Sequence, residues 1–143
     1  MFRRLFDIRE ENDLTQDDIG KILNVSRVAI SQWESDKEII PLEKLNTFAN
    51  YFNVSFDYLA NLSNNKTNEN IYINLDPVLI GKRLKEFREN NNLTLRQLAD
   101  ILNTSASTLC AYESGKVLIL TVFAYEIAKK FKISLDWICG KTK

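Results

Sequence analysis

The sequence predicts an all-α protein made of two tandem five-helix domains joined by a polar linker. Three observations predict it. Sliding the 143-residue chain against itself by 79 positions gives a gapless match from about Arg3 to Ser63. Within each copy, apolar residues recur at i, i+3, i+4 spacing, the period of helices with one buried face. Ser, Thr or Asp heads several of these stretches, where a side-chain oxygen can satisfy a helix's first free amides. The matched pairs include Leu5/Leu84, Arg9/Arg88, Thr15/Thr94, Asn24/Asn103, Ser26/Ser105, Glu34/Glu113, Lys37/Lys116, Phe52/Phe131 and Asp57/Asp136. Conservative pairs such as Ile30/Leu109, Trp33/Tyr112, Val54/Ile133 and Tyr58/Trp137 fill the intervals.

In the first copy, a helix over residues 2–12 turns Phe2, Leu5, Phe6, Ile8 and Arg9 inward. Residues 15–34 hold two short helices with a tight joint. Thr15 caps the first of them, with Asp18 at the capping-box position, and Ile19, Ile22 and Leu23 face the core. After Asn24-Val25, Ser26 caps the second, which buries Ala29, Ile30 and Trp33 and turns Arg27, Val28, Ser31 and Gln32 outward. Gly20 and Ala29 are small enough for the two helices to cross closely. Residues 35–38 form a loop, and Pro41 sits at the first position of a fourth helix, where no amide hydrogen is needed. That helix, residues 42–52, buries Leu45, Phe48, Ala49 and Phe52. Ser55 caps a last short helix with Phe56, Tyr58 and Leu59. The second copy repeats the plan, with Asp76-Pro77 as a helix start, Gly115 in the loop and Gly140 as a stop. About 60 residues make a small core, so each domain depends on its aromatics.

The expected domains are 1–62 and 76–143, with 63–75 as a polar, mobile linker. Its end, 71–75, alternates apolar with polar residues and predicts a short strand. Such a segment either leans on the second domain's core or pairs with another chain as an exposed strand.

Composition is that of an ordinary globular protein, 45% apolar and 27% charged. No apolar run approaches the ~20 residues of a membrane helix. The first residues lack the apolar run and cleavage site of a signal peptide. Cys110 and Cys139 with no histidine make a zinc site or disulfide framework unexpected, and a reducing cytoplasm fits best. Net charge is zero, but residues 1–62 carry 7 Lys/Arg against 11 Asp/Glu, and residues 79–143 carry 11 against 6. An acidic domain thus precedes a basic one. Without histidine, a phosphate-binding glycine loop or metal spacing, catalysis is not expected, nor is a cofactor or metal.

A helix pair followed by Trp or Tyr and then Glu-Ser-x-Lys resembles the Cro/CI-type helix-turn-helix, the xenobiotic-response-element regulator family. In the first copy Leu14-Thr15-Gln16, Val25-Ser26, Ile30-Ser31, Trp33-Glu34, Lys37 and Val54-Ser55 with Asp57-Tyr58-Leu59 carry the resemblance. In the second it rests on Leu93-Thr94, Ser105, Tyr112-Glu113-Ser114-Gly115-Lys116 and Ile133-Ser134-Leu135-Asp136-Trp137. The resemblance implies two lambda-repressor-like DNA-binding domains. It also implies base contacts from Arg27, Val28, Ser31 and Gln32, and phosphate contacts from Gln16, Ser26 and Lys37, with amides near Ser26 and Lys37 helping. Arg96, Ser105 and Lys116 are the corresponding phosphate candidates in the second copy. Arg9 with Glu34, and Arg88 with Glu113, are implied as internal pairs.

The second copy departs where bases would be read. Leu95 replaces Gln16, and Ala106, Ser107, Cys110 and Ala111 replace the four outward residues. Small side chains without a bidentate fork discriminate bases poorly. Exposure of Cys110 raises a redox switch, yet no neighbour in the sequence marks it as a reactive thiol. Lys129, Lys130 and Lys132 read as a solvated cluster suited to a helix C-terminus. The expected function is a sequence-specific DNA-binding transcriptional regulator, a repressor. Its first domain reads the major groove, and its second supplies phosphate contacts or a dimer surface. Double-stranded DNA is the expected partner, in a homodimer, with a regulatory protein partner left open. Extended, residues 63–78 would span up to ~50 Å, more than the ~34 Å between successive half-sites. The rival reading is a protein-interaction module on the same fold, antitoxin-like or anti-repressor-binding, which the acidic first copy favours.

Overall fold

The computed structural model describes residues 1–67 and 72–143. The chain divides into two compact units, Met1–Asn70 and Ile71–Lys143. Among the described residues the secondary structure is helical, apart from one isolated antiparallel bridge between Val54 and Thr67.

The first unit contains α1 (Arg4–Glu11), α2 (Gln16–Leu23), α3 (Arg27–Glu34), α4 (Leu42–Phe52) and α5 (Phe56–Leu59). Helix α1 is shorter than expected. It starts at Arg4, and Arg3 before it has helical backbone angles but supplies no side-chain cap. Phe2 is nevertheless buried, with Leu5, Ile8, Ile19, Leu23, Ile30, Trp33, Leu45 and Phe48. Phe6, expected inside, is only half-buried. Its ring lies under the guanidinium groups of Arg9 at 5.2 Å and Arg3 at 5.7 Å. Ile22, Ala29 and Phe52 are likewise half-buried. Pro41 stands one position earlier than expected, as the residue before α4. Ile40 beside it is fully buried.

The second unit repeats the order with α6 (Pro77–Asn90), α7 (Leu95–Leu102), α8 (Ala106–Glu113), α9 (Thr121–Phe131) and α10 (Leu135–Ile138). Asp76 caps α6 through Val78 N, and Pro77 opens the helix. At Gly81 the backbones of α6 and α8 come close: a Cβ there would lie 2.5 Å from the carbonyl oxygens of Tyr112 and Glu113. Asn24, Asn103 and Asn53 close their helices in the left-handed region, where asparagine is tolerated, while Lys132 does so after α9.

Of the expected linker, residues 68–70 lie outside the described residues. Residues 63–67 fold back onto the first unit. Arg4 donates to the Ser63 carbonyl and to Asn64 Oδ1, Ser55 Oγ donates to the Asn65 carbonyl, and Lys66 pairs with Glu11 at 2.7 Å. Ile71, first residue of the expected strand, lies outside the described residues. Residues 72–75 form no strand. They are held to the second unit instead, by Tyr72 N donating to Lys141 O at 3.1 Å and Lys141 Nζ donating to Ile73 O at 2.8 Å. Backbone groups that find fixed partners this way need no ladder. Much of the expected tether is thus folded onto the units it joins.

Candidate nucleic-acid interface

The α2–α3 joint is fixed by local chemistry at three points. Thr15 and Asp18 form a reciprocal capping box: Asp18 N donates to Thr15 Oγ1 at 3.1 Å, and Thr15 N to Asp18 Oδ2 at 2.8 Å. The bond from the Thr15 amide holds the Asp18 carboxyl below its usual pKa. Next, Asn24 adopts φ 56°, and Val25 N returns to Gly20 O at 2.8 Å. Even a Cβ at Gly20 would meet Val25 O at 2.7 Å, so this joint closes over glycine, while Ala99 stands at the repeat position in the second unit. Finally, Ser26 Oγ accepts from Ala29 N at 3.2 Å and starts α3.

Below this joint, Glu34 takes Arg9 bidentately, Nε to Oε2 at 2.7 Å and Nη2 to Oε1 at 3.0 Å. Arg9 Nη1 also donates to Leu14 O, the residue before the capping box, at 2.9 Å. One guanidinium therefore ties the end of α3 to the start of α2. Arg88 binds Glu113 and Leu93 O at the same distances. Hydrogen bonding to its glutamate, more than burial opposes, raises each arginine's pKa.

On this frame Arg27, Val28 and Ser31 are exposed, with Val28 at 60%. Gln32 is half-buried rather than fully outward. Gln16 is also half-buried, its Nε2 donating to Glu34 Oε1 at 3.1 Å. A carboxamide nitrogen carries two hydrogens, so that bond orients the group and leaves one donor. Ser26 and Lys37 are exposed. The Lys37 amide, expected to help grip a phosphate, donates to Gln32 O at 3.0 Å, which leaves the ammonium for that role. In the second unit Arg96, Ser105 and Lys116 are exposed, as are Ser107 and Cys110, while Ala106 and Ala111 are half-buried. The Ser105 hydroxyl accepts from Thr108 N at 3.1 Å and lies within hydrogen-bond distance of the Ser107 and Thr108 hydroxyls. The Lys116 amide is used by Ala111 O, as in the first unit.

Sequence reasoning missed two pairs of residues. Arg4 lies 4.1 Å from the Tyr58 ring centroid and donates to Tyr58 O. Its repeat mate Arg83 lies 5.2 Å from Trp137 and donates to Trp137 O. Two arginines aligned at a 79-residue offset were the available signal. Lys44 donates to Leu23 O at 2.9 Å and Lys130 to Ile101 O at 3.3 Å, so in both units a lysine caps the end of the helix before the joint. Those lysines are not repeat mates, which hid the role. Lys130, read as part of a solvated cluster, is therefore also a helix cap.

Comparison with known proteins agrees with this geometry. Residues 5–59 match a helix-turn-helix family model and residues 81–141 match a second helix-turn-helix domain model. Together they cover most of the chain, which belongs to the helix-turn-helix proteins as a tandem of two such domains, the first of the xenobiotic-response-element type. The HTH-type transcriptional activator BcrR of Enterococcus faecalis is 39% identical over 56 residues, 39% of this chain and 28% of the relative. An uncharacterised HTH-type transcriptional regulator of Bacillus subtilis (strain 168), YobD, is 26% identical over 91 residues, 64% of this chain and 73% of the relative. Antitoxin PezA of Streptococcus pneumoniae serotype 4 is 34% identical over 65 residues, 46% of this chain and 41% of the relative. The chain thus spans 28% of BcrR's length and 41% of PezA's. No solved structure matches it significantly. No helix among the described residues is long and apolar enough to cross a membrane.

Proposed function

We propose that the chain is a sequence-specific DNA-binding transcriptional regulator that works in the cytoplasm as a homodimer on double-stranded DNA. One observation carries the reading. Helix α3 presents Arg27, Val28 and Ser31 to solvent beside Gln32, while Ile30, Trp33 and the Arg9–Glu34 pair lock its other face. Pre-set donors on a rigid helix suit base reading in a major groove. An arginine fork fits guanine O6 and N7, glutamine fits adenine, and a valine methyl meets thymine. Gln16, Ser26 and Lys37 flank this surface as phosphate contacts. The second unit, with small residues on α8, assists through Arg96, Ser105 and Lys116 or through dimerisation. A domain that only occupies its site acts in the simplest case as a repressor. The names of BcrR and YobD support regulation of transcription.

A second reading is a protein-interaction module. The excess of acids in residues 1–62 and the likeness to antitoxin PezA favour it. Selection of bound DNA from a random-sequence pool, at two salt concentrations, separates the two. The regulator enriches a motif and loses affinity steeply with salt. Arg27→Ala with Gln32→Ala should abolish preference between sequences. Site preference that survives the double change rules out α3 as the reader, and no enrichment at low salt favours the protein-interaction module.

A further inference from the structure

The second unit carries an apolar surface at the start of α6 that reaches the loop just past α8. A cleft of about 510 Å³ opens between residues 72–74 and the start of α6, lined by Tyr72, Ile73, Val78 and Leu79 with Asp76 and Lys82 at its rim. Ile73 is 68% exposed and Val78 52%. The surface continues past Gly115, where a Cβ would lie 3.0 Å from Val78 Cα, toward Val117, 51% exposed. At the repeat position of Val117 the first unit has Glu38. The cleft's Tyr72, Ile73, Val78 and Leu79 lie just before the part of the chain that matches the first copy.

We infer that this surface is where a second copy of the chain docks, two-fold symmetrically, α6 against α6. The charges select the occupant. Along α6, Asp76 and Lys82 flank Val78 and Leu79, six residues or about 9 Å apart along the axis. When two such helices cross antiparallel near Leu79, each copy's acid meets the other's base, and Val78 and Ile73 fill the centre. That is the self-complementarity of an isologous interface. A partner of single charge sign would leave one rim group opposed. The surface is anchored, because Lys141 fixes Ile73 through its carbonyl and Asp76 caps the helix. The inference deepens the homodimer of the proposed function, in which each copy brings one reading helix. It does not depend on DNA reading.

Sedimentation of the full chain without DNA tests it. The wild-type chain should sediment as a dimer at about 100 µM. Ile73→Ser with Val78→Ser should weaken the dimer by roughly a hundredfold or more, while melts at a concentration low enough for both proteins to be monomers stay unchanged, because both side chains are exposed in the monomer. Lys82→Glu should weaken it by placing two acids together. Adding Asp76→Asn, which keeps the helix cap, should restore part of the loss. A monomer at about 100 µM, or a dimer indifferent to the serine pair, overturns the assignment. Because no DNA is present, failure here is distinct from failure of base reading. If both hold, the serine variant still enriches the half-site but loses motif symmetry.

Discussion

Glu34 holds Arg9 through both oxygens and Gln16 through one, and Gln16 is the member of the trio that the second unit replaces, with Leu95. The two roles separate by substitution. Gln16→Leu should leave the fold intact, since the second unit folds with leucine there. It should weaken DNA binding about tenfold across all sequences, the loss of one phosphate bond. A titration showing unchanged affinity would remove Gln16 from the contact set. Glu34→Ala instead strands a nearly buried guanidinium and should destabilise the first unit by about 2–4 kcal/mol in a urea melt read by the neighbouring Trp33. Lys141 poses the opposite case. Its side chain is fully buried, and burial lowers its pKa from 10.5 to about 8, although Asp136 and Cys139 pull it upward. Between pH 8 and 10 the unfolded chain therefore binds more protons at this site than the folded chain. The second unit should gain stability as pH rises through that window, on the order of 1–3 kcal/mol, until titration of Tyr112, whose pKa burial raises, opposes it. Lys141→Leu, the residue at the repeat position, Leu62, should flatten the slope in melts taken across that range.

Helix α6 meets α8 at backbone distance because Gly81 has no side chain. Gly81→Ala improves helix propensity by up to ~1 kcal/mol, but its methyl would meet two carbonyl oxygens that cannot rotate away. The clash wins, and thermal melts should show a net loss of about 1–3 kcal/mol. No residue pattern announces this contact, since the repeat position holds Phe2. The legible elements were those whose signal is local. The capping box at Thr15 and Asp18, the caps at Ser26 and Ser55, and the Asp76-Pro77 start each need only neighbours within three residues. Within the candidate site, the outward set on α3 followed from helical period alone. The half-burial of Gln32, the bond from Gln16 to Glu34 and the occupied Lys37 amide did not, because each depends on a turn or neighbouring helix placed by tertiary packing. Residues 72–75 of the expected strand form none, for a related reason. Alternation says which faces residues turn to but not what their backbone will bond, and here a buried lysine near the end of the sequence takes the described part of that segment.

Across the whole molecule the charges divide: the unit with the proposed reading surface is acidic, and the unit with small residues on α8 is basic. Phosphate neutralisation sets most of the affinity of such complexes, so an acidic reader gains from a basic neighbour on the same chain. Arg96 and Lys116 are exposed in the second unit, on α7 and just past α8. If both neutralise phosphates, Arg96→Ala with Lys116→Ala should reduce the slope of log affinity against log salt by about 2, at roughly 0.9 per contact, and leave the selected motif unchanged. Lys37→Ala in the first unit should reduce the slope by about 1. A double variant with the wild-type slope would mean that the second unit stays off the DNA, so that its contribution to binding comes through pairing two reading units. A double variant that changed the motif would mean that α8 reads bases despite its small side chains, and would add Ser107 and Cys110 to the contact set.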